Sequence, residues 1–233
     1  MTLEFTNELG DIRPVQTKPR HRSAAVAPLV SGDTAPFFSL SSATGEWRSS
    51  LFNHAQPATS VSLLSLAATK PVVVSFYCPC WGAYAEPHLD ALIRLSDELQ
   101  KSGAELIVLS NESPKALQRQ GKVVDFLFAY DADWQVARQF GVYSEDNPVW
   151  DRVSGISDEA FVPALYVIGP DRQIIYHGID ENFDSPLNTE AVLEAVDSVS
   201  AATPDLIDTV PFNPYSLGFF GLWLAGLIAA VAM

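Results

Sequence analysis

The hydrophobic and polar positions divide this chain into a polar beginning, a patterned middle and an apolar end. Residues 1–30 contain Pro14, Pro19 and Pro28 and show no helix or strand period, which predicts an extended N-terminal arm. The deepest apolar run of the middle is Val72-Val73-Val74-Ser75-Phe76-Tyr77. An unalternating stretch of β-branched and aromatic residues reads as a strand buried on both faces. It breaks at Cys78-Pro79-Cys80 and passes Trp81-Gly82. From about Tyr84 to Ser102 it has a helical period that puts Leu89, Leu92 and Leu95 on one side.

The rest of the middle continues in the same vein. Gly32–Leu51 predicts a short strand or hairpin with turns at Ser31-Gly32-Asp33 and Thr44-Gly45, and a short helix fits Ser60–Ala68. Ala104–Ser110 is a second buried strand. Ser113 caps a short helix that opens on Pro114 and ends near Gly121. Asp125–Tyr130 includes a strand, Asp133–Phe140 is a helix closed by Gly141, and residues 142–161 form a loop carrying Trp150. Ala164–Ile168 and Gln173–His177 pair antiparallel across Gly169-Pro170-Asp171-Arg172. Asn188 or Thr189 caps a last helix with Val192, Leu193 and Val196 inside. This order predicts an α/β fold, a mixed sheet with helices on both faces, spanning residues 31–200.

The end of the chain has a different pattern. After Asp208 no charged residue occurs, and Leu217–Met233 has no strongly polar side chain. Seventeen helical residues reach roughly 26 Å, close to the hydrocarbon thickness of a bilayer. The expectation is a linker over 201–214 and a transmembrane helix over 215–233. Tyr215 sits at the interface and Trp223 deeper, while Gly218, Gly221, Ala225, Gly226 and Ala229 offer close packing to a partner helix. No arginine or lysine flanks this run, which favours a tail packed into a larger membrane complex.

Composition narrows the function. The net charge is −14, and beyond residue 25 acidic residues outnumber basic ones by 25 to 10, which argues against nucleic acid as a partner. Lys18–Arg22 makes the arm locally basic. Residues 1–25 lack an apolar core segment, so the soluble domain is expected on the cytosolic side. Two cysteines separated by one residue are not a disulfide framework. They suit disulfide exchange, a soft-metal site such as Cu(I), or simple burial in a tight turn. No cofactor or metal centre is expected: no phosphate-binding glycine loop and no zinc-ligand spacing is present.

Several stretches carry a resemblance. They are Gly32-Asp33-Thr34-Ala35-Pro36-Phe37-Phe38-Ser39-Leu40, Phe76-Tyr77, Ala137-Arg138-Gln139-Phe140-Gly141-Val142 and Val162-Pro163-Ala164-Leu165-Tyr166-Val167-Ile168. From Gly32 to about Val199 the chain resembles the peroxiredoxin-like, AhpC/TSA-type branch of the thioredoxin superfamily. The resemblance implies a thioredoxin-like fold and matches Pro163 to the superfamily's active-site cis proline. After the strand the family pattern is Phe-Tyr, three residues, Trp, then Cys-x-x-Cys. Trp81 matches, but the two family cysteines fall on Gly82 and Ala85.

The expected protein is therefore a membrane-anchored, catalytically degenerate accessory or scaffolding subunit of a membrane complex, of a redox or energy-converting kind. Its partners are that complex and the lipid bilayer, and Trp81, Tyr84 and Pro163 shape an active-site-like surface. The alternative is a thiol-disulfide oxidoreductase or peroxidase using Cys78 and Cys80; a third reading is Cu(I) binding or delivery by the same sulfurs.

Overall fold

The computed structural model describes residues 4–6, 12–14, 27–45, 60–151, 153, 155–156 and 160–202. The elements in order are β1 (Glu4–Thr6), β2 (Ile12–Pro14), β3 (Ser39–Gly45), β4 (Ser60–Ser62), α1 (Leu63–Ala67), β5 (Val72–Phe76), a 3-10 segment (Pro79–Tyr84), α2 (Ala85–Lys101), β6 (Glu105–Ser110), α3 (Pro114–Gln118), β7 (Val124–Tyr130), α4 (Gln135–Gln139), a 3-10 turn (Val149–Asp151), β8 (Ala164–Ile168), β9 (Ile174–Ile179) and α5 (Thr189–Ala202). Seven strands form one sheet in the order β4-β3-β7-β6-β5-β8-β9.

The apolar run Val72–Phe76 lies inside this sheet. β5 is parallel to β6, with Val74 opposite Ile107, and antiparallel to β8, with Val74 opposite Tyr166. All five residues are buried, the state that an unalternating apolar strand requires. β6 and β7 are also parallel, and α2 packs over them with Leu89, Leu92, Leu95 and Leu99 inward. α5 buries Val192, Val196 and Val199, and Asn188 Oδ1 caps its start by accepting the Ala191 N–H at 3.1 Å.

The structure differs from the sequence expectations at the sheet's far edge and in the arm. β3 continues through Thr44-Gly45 instead of turning there: Ser42, Ala43 and Gly45 pair with β7, with a shift of register between Ala43 and Gly45, while β4 pairs with Ser39, Leu40 and Ser41. The arm holds an antiparallel pair, β1 with β2. The segment 142–161 contains a 3-10 turn, and Val149, Ala160 and Phe161 are buried, while Trp150 is half exposed. The tail residues Tyr215, Gly218, Gly221, Trp223, Ala225, Gly226 and Ala229 lie outside the described residues.

Residues 27–35 form a strap. Leu29 N–H donates to Phe140 O at 3.0 Å, Gly32 N–H to Ile174 O at 2.8 Å and Ala35 N–H to Arg172 O at 2.8 Å. Gly141 anchors the strap's first residues. α4 ends in a paired C-terminal cap, with Gly141 N–H on Arg138 O and Val142 N–H on Ala137 O, which requires a left-handed residue. Gly141 has φ +71°, and a Cβ there would meet Ala27 O at 2.3 Å. Gly141→Ala is expected to destabilise the fold by at least about 2 kcal/mol, from backbone strain plus overpacking. Urea unfolding checks this; an unchanged midpoint contradicts it.

Candidate functional site

The site grows out of the end of β5. Tyr77 N–H continues the ladder to Leu109 O at 2.9 Å, after which the chain leaves the sheet. Cys78 is extended, and Pro79, with its fixed φ and no N–H, opens the 3-10 segment. Cys78 and Cys80 are joined by a disulfide. Cys78 is fully buried, Cys80 is half-buried, and the Cys80 N–H points at Cys78 Sγ from 3.2 Å. The proline between them therefore permits the ring to close. While the bond stands, neither sulfur is a thiolate and the pair has no ligand to offer a soft metal.

Trp81 follows, and it corrects the expectation of a surface residue: it is 1% exposed. Its Nε1–H donates to Phe161 O at 2.9 Å. Its indole meets Tyr77, Tyr84, His88 and Phe183 edge to face at 5.6, 5.7, 5.3 and 5.9 Å. An indole needs a partner for its N–H when buried, and the Phe161 carbonyl supplies it. Gly82 then turns the chain with φ +59° and ψ −129°, a conformation that suits glycine. Ala85 is the first residue of α2 and is buried. These are the two positions onto which the resemblance lays the family's cysteines.

Tyr84 and Pro163 do come together, in one cavity that also takes in His88 and Asp180. Pro163 is not cis: there is no cis peptide bond among the described residues, which corrects the expectation taken from the superfamily. Its carbonyl accepts the Asp180 N–H at 2.9 Å. Tyr84 stacks on His88 at 5.5 Å, and its hydroxyl donates to Ser185 O at 3.2 Å. Burial, then the neighbouring Asp180 carboxylate, pushes the Tyr84 phenol well above its ordinary range, so it stays protonated.

His88 and Asp180 were not singled out as a site by sequence reasoning. The structure buries His88 under Trp81 and Tyr84. Asp180 organises a turn instead, Oδ1 accepting the Asp184 N–H at 3.1 Å and Oδ2 the Ser185 N–H at 3.0 Å. The usable signal was helical spacing: His88 on α2 is four residues after Tyr84, the residue just before that helix.

With this geometry in place, the fold defines a class: a thioredoxin-like α/β protein of the peroxiredoxin kind. The structure superposes on AhpC from Mycobacterium tuberculosis with a TM-score of 0.57 and 18% identity, covering 78% of this chain and 98% of that one. For the reduced 2-Cys peroxiredoxin of Plasmodium vivax the TM-score is 0.58 and the identity 16%, over 80% and 89%. The chain belongs to the AhpC/TSA family, whose profile matches residues 31–177. It is 29% identical over 137 residues to peroxiredoxin Bcp of Escherichia coli K12, which covers 58% of this chain and 79% of Bcp.

His88 carries a pH prediction. Burial lowers its pKa from 6.5 to about 4, against a smaller opposing pull from Asp180. Above pH 6.5 the imidazole is neutral in both folded and unfolded chains, so its contribution is fully present. As pH falls from 6.5 towards 4, the unfolded chain gains a proton that the folded one refuses, and stability falls by on the order of 3 kcal/mol. The difference in urea stability between His88→Phe and the unmodified chain should grow by that amount in favour of the variant over this window. Parallel pH profiles contradict it.

Proposed function

We propose that this chain is a thiol-disulfide exchange member of the AhpC/TSA family, working through Cys78 and Cys80 and not through a peroxide-reducing thiol on α2. The observation that carries the reading is the Cys78–Cys80 disulfide at the end of β5, with Cys80 as the reachable sulfur. An external thiolate attacks Cys80 Sγ and forms a mixed disulfide; Cys78 leaves as thiolate, towards which the Cys80 N–H is directed. A second external thiolate attacks the mixed disulfide on the external sulfur, releasing an external disulfide and Cys80 thiolate. The two external thiols lose two electrons and the pair gains them. The reverse sequence reduces a client disulfide.

Two features support the loss of the family's own chemistry. The positions laid on the family cysteines are Gly82 and Ala85, and the Gly82 backbone is one that a cysteine would strain. A Cys-x-Cys ring is short, so closure removes little chain entropy and the bond stays open to exchange.

In Cys78→Ser the Cys80 thiolate should attack a client disulfide, release one half as a thiolate and hold the other as a stable mixed disulfide, while Cys80→Ser should trap none. Mass spectrometry after a disulfide-peptide challenge reads this. Equal trapping by both variants contradicts the assigned roles. Peroxide consumption should stay at the level of the double serine variant, and Gly82→Cys should not raise it. Peroxide turnover by the unmodified chain that the double variant loses would move the assignment to a peroxidase.

A second reading concerns where the chain works. The uncharged run Leu217–Met233 supports a membrane-inserted tail that holds the domain in a membrane complex as an accessory subunit. Among the described residues no helix is long and apolar enough to cross a membrane, so this reading rests on the tail's sequence alone. Deleting 215–233 should move the chain from the membrane to the soluble fraction and dissociate it from co-migrating subunits in mild detergent. Unchanged fractionation contradicts it.

A further inference from the structure

The segment from Cys78 to Tyr84 has carboxylates on both flanks. On one flank is Tyr77, which directly precedes Cys78 and whose ring meets Trp81 at 5.6 Å. Burial raises its phenol, and the charges of Glu86 and Asp90 on α2 raise it further. On the other flank the Phe183 ring meets Trp81 at 5.9 Å and Tyr84 at 5.2 Å, which seats the 180–185 turn against the residue next to Cys80. Burial, then Asp180 and Asp184, raises the Tyr84 phenol, and Asp180 opposes the burial that lowers His88. Every charge acting on these groups is negative.

Little offsets them. Lys122 bridges Glu86 at 3.3 Å and Asp90 at 2.5 Å, while Asp180 and Asp184 have no ion-pair partner among the described residues. Glu86 and Asp184 are exposed, so their field reaches the solvent from which a partner arrives, and the chain's net charge of −14 adds to it. A thiol reacts as its thiolate, so the attacking species is itself an anion. In the exchange step that thiolate bonds to Cys80 Sγ, the Cys78–Cys80 bond breaks and Cys78 leaves as thiolate, so negative charge stays beside these carboxylates throughout. Like charge opposes both the approach and the leaving thiolate. A cation next to the attacking sulfur removes that opposition. We infer that the exchange partner of Cys80 is a thiol with positive charge beside it, as on a cysteine flanked by lysine or arginine on a basic protein surface. This partner class presupposes the exchange reading of Cys78 and Cys80.

The test is reduction of the pair in the full chain, in uncharged detergent, by cysteamine, 2-mercaptoethanol and 3-mercaptopropionate, read by alkylation and mass spectrometry. Each rate is taken per thiolate and divided by that thiol's rate with bis(2-hydroxyethyl) disulfide, which removes differences in intrinsic nucleophilicity. In about 0.01 M salt, where the Debye length is roughly 30 Å, cysteamine should exceed 3-mercaptopropionate about tenfold, with 2-mercaptoethanol between them. In about 1 M salt the ratio should fall to about twofold or less. Glu86→Gln combined with Asp184→Asn should cut the low-salt ratio about threefold. Equal normalised rates, a ratio that salt leaves unchanged, or the same low-salt ratio in the double variant overturns the inference. A pair that none of the thiols opens overturns the exchange reading beneath it, and the inference with it.

Discussion

The burial of Trp81 is the constraint on which the rest of the site depends. The indole sits where β5 leaves the sheet, and its N–H reaches the Phe161 carbonyl at the entry to β8. Four rings surround it from β5's end, the 3-10 segment, α2 and the loop before α5. Burying such a side chain contributes on the order of 3–5 kcal/mol, and each edge-to-face pair adds about 0.5–1.5 kcal/mol. Because Trp81 is locked, the residues on either side are locked too. Cys78 is pressed into the core before it, and Gly82 must turn sharply after it.

That arrangement ties the strand end, the tryptophan and the start of α2 to one another. The fold needs the β5 strand, the tryptophan and α2; it does not need a thiol at Gly82 or Ala85. On the proposed exchange reading, the sulfurs that react are those before the tryptophan, at the strand end instead of the helix start. There the Cys80 N–H points at Cys78 Sγ, and the start of α2 is one 3-10 segment away. On this account exchange, which needs a reachable sulfur and a leaving thiolate, suits the position better than peroxide reduction does.

The sheet was legible because its signals are local and redundant. Val72–Phe76 and Glu105–Ser110 are apolar without alternation, and strands buried on both faces read that way. Gly141 announced the end of α4 through a cap that only a left-handed residue completes. The candidate site was legible only in part. Cys78 and Cys80 are adjacent in sequence, so their pairing was open to inspection. Trp81 looked like a surface residue because nothing local records that Phe161 and Phe183 return to cover it. His88 and Asp180 meet only through the tertiary fold, across some ninety positions, and no spacing rule reaches that far. Thr44-Gly45 misled because a glycine in a strand also marks a local irregularity of the ladder, and the register with β7 shifts between Ala43 and Gly45.

The most direct measurement of the central claim is the redox equilibrium of Cys78 and Cys80 in the full chain, by alkylation and mass spectrometry across glutathione buffers. Exchange activity predicts a two-electron transition between bonded pair and dithiol near the glutathione range, about −180 to −260 mV. A pair that stays bonded below about −300 mV, or that never forms the bond in oxidised buffer, contradicts it.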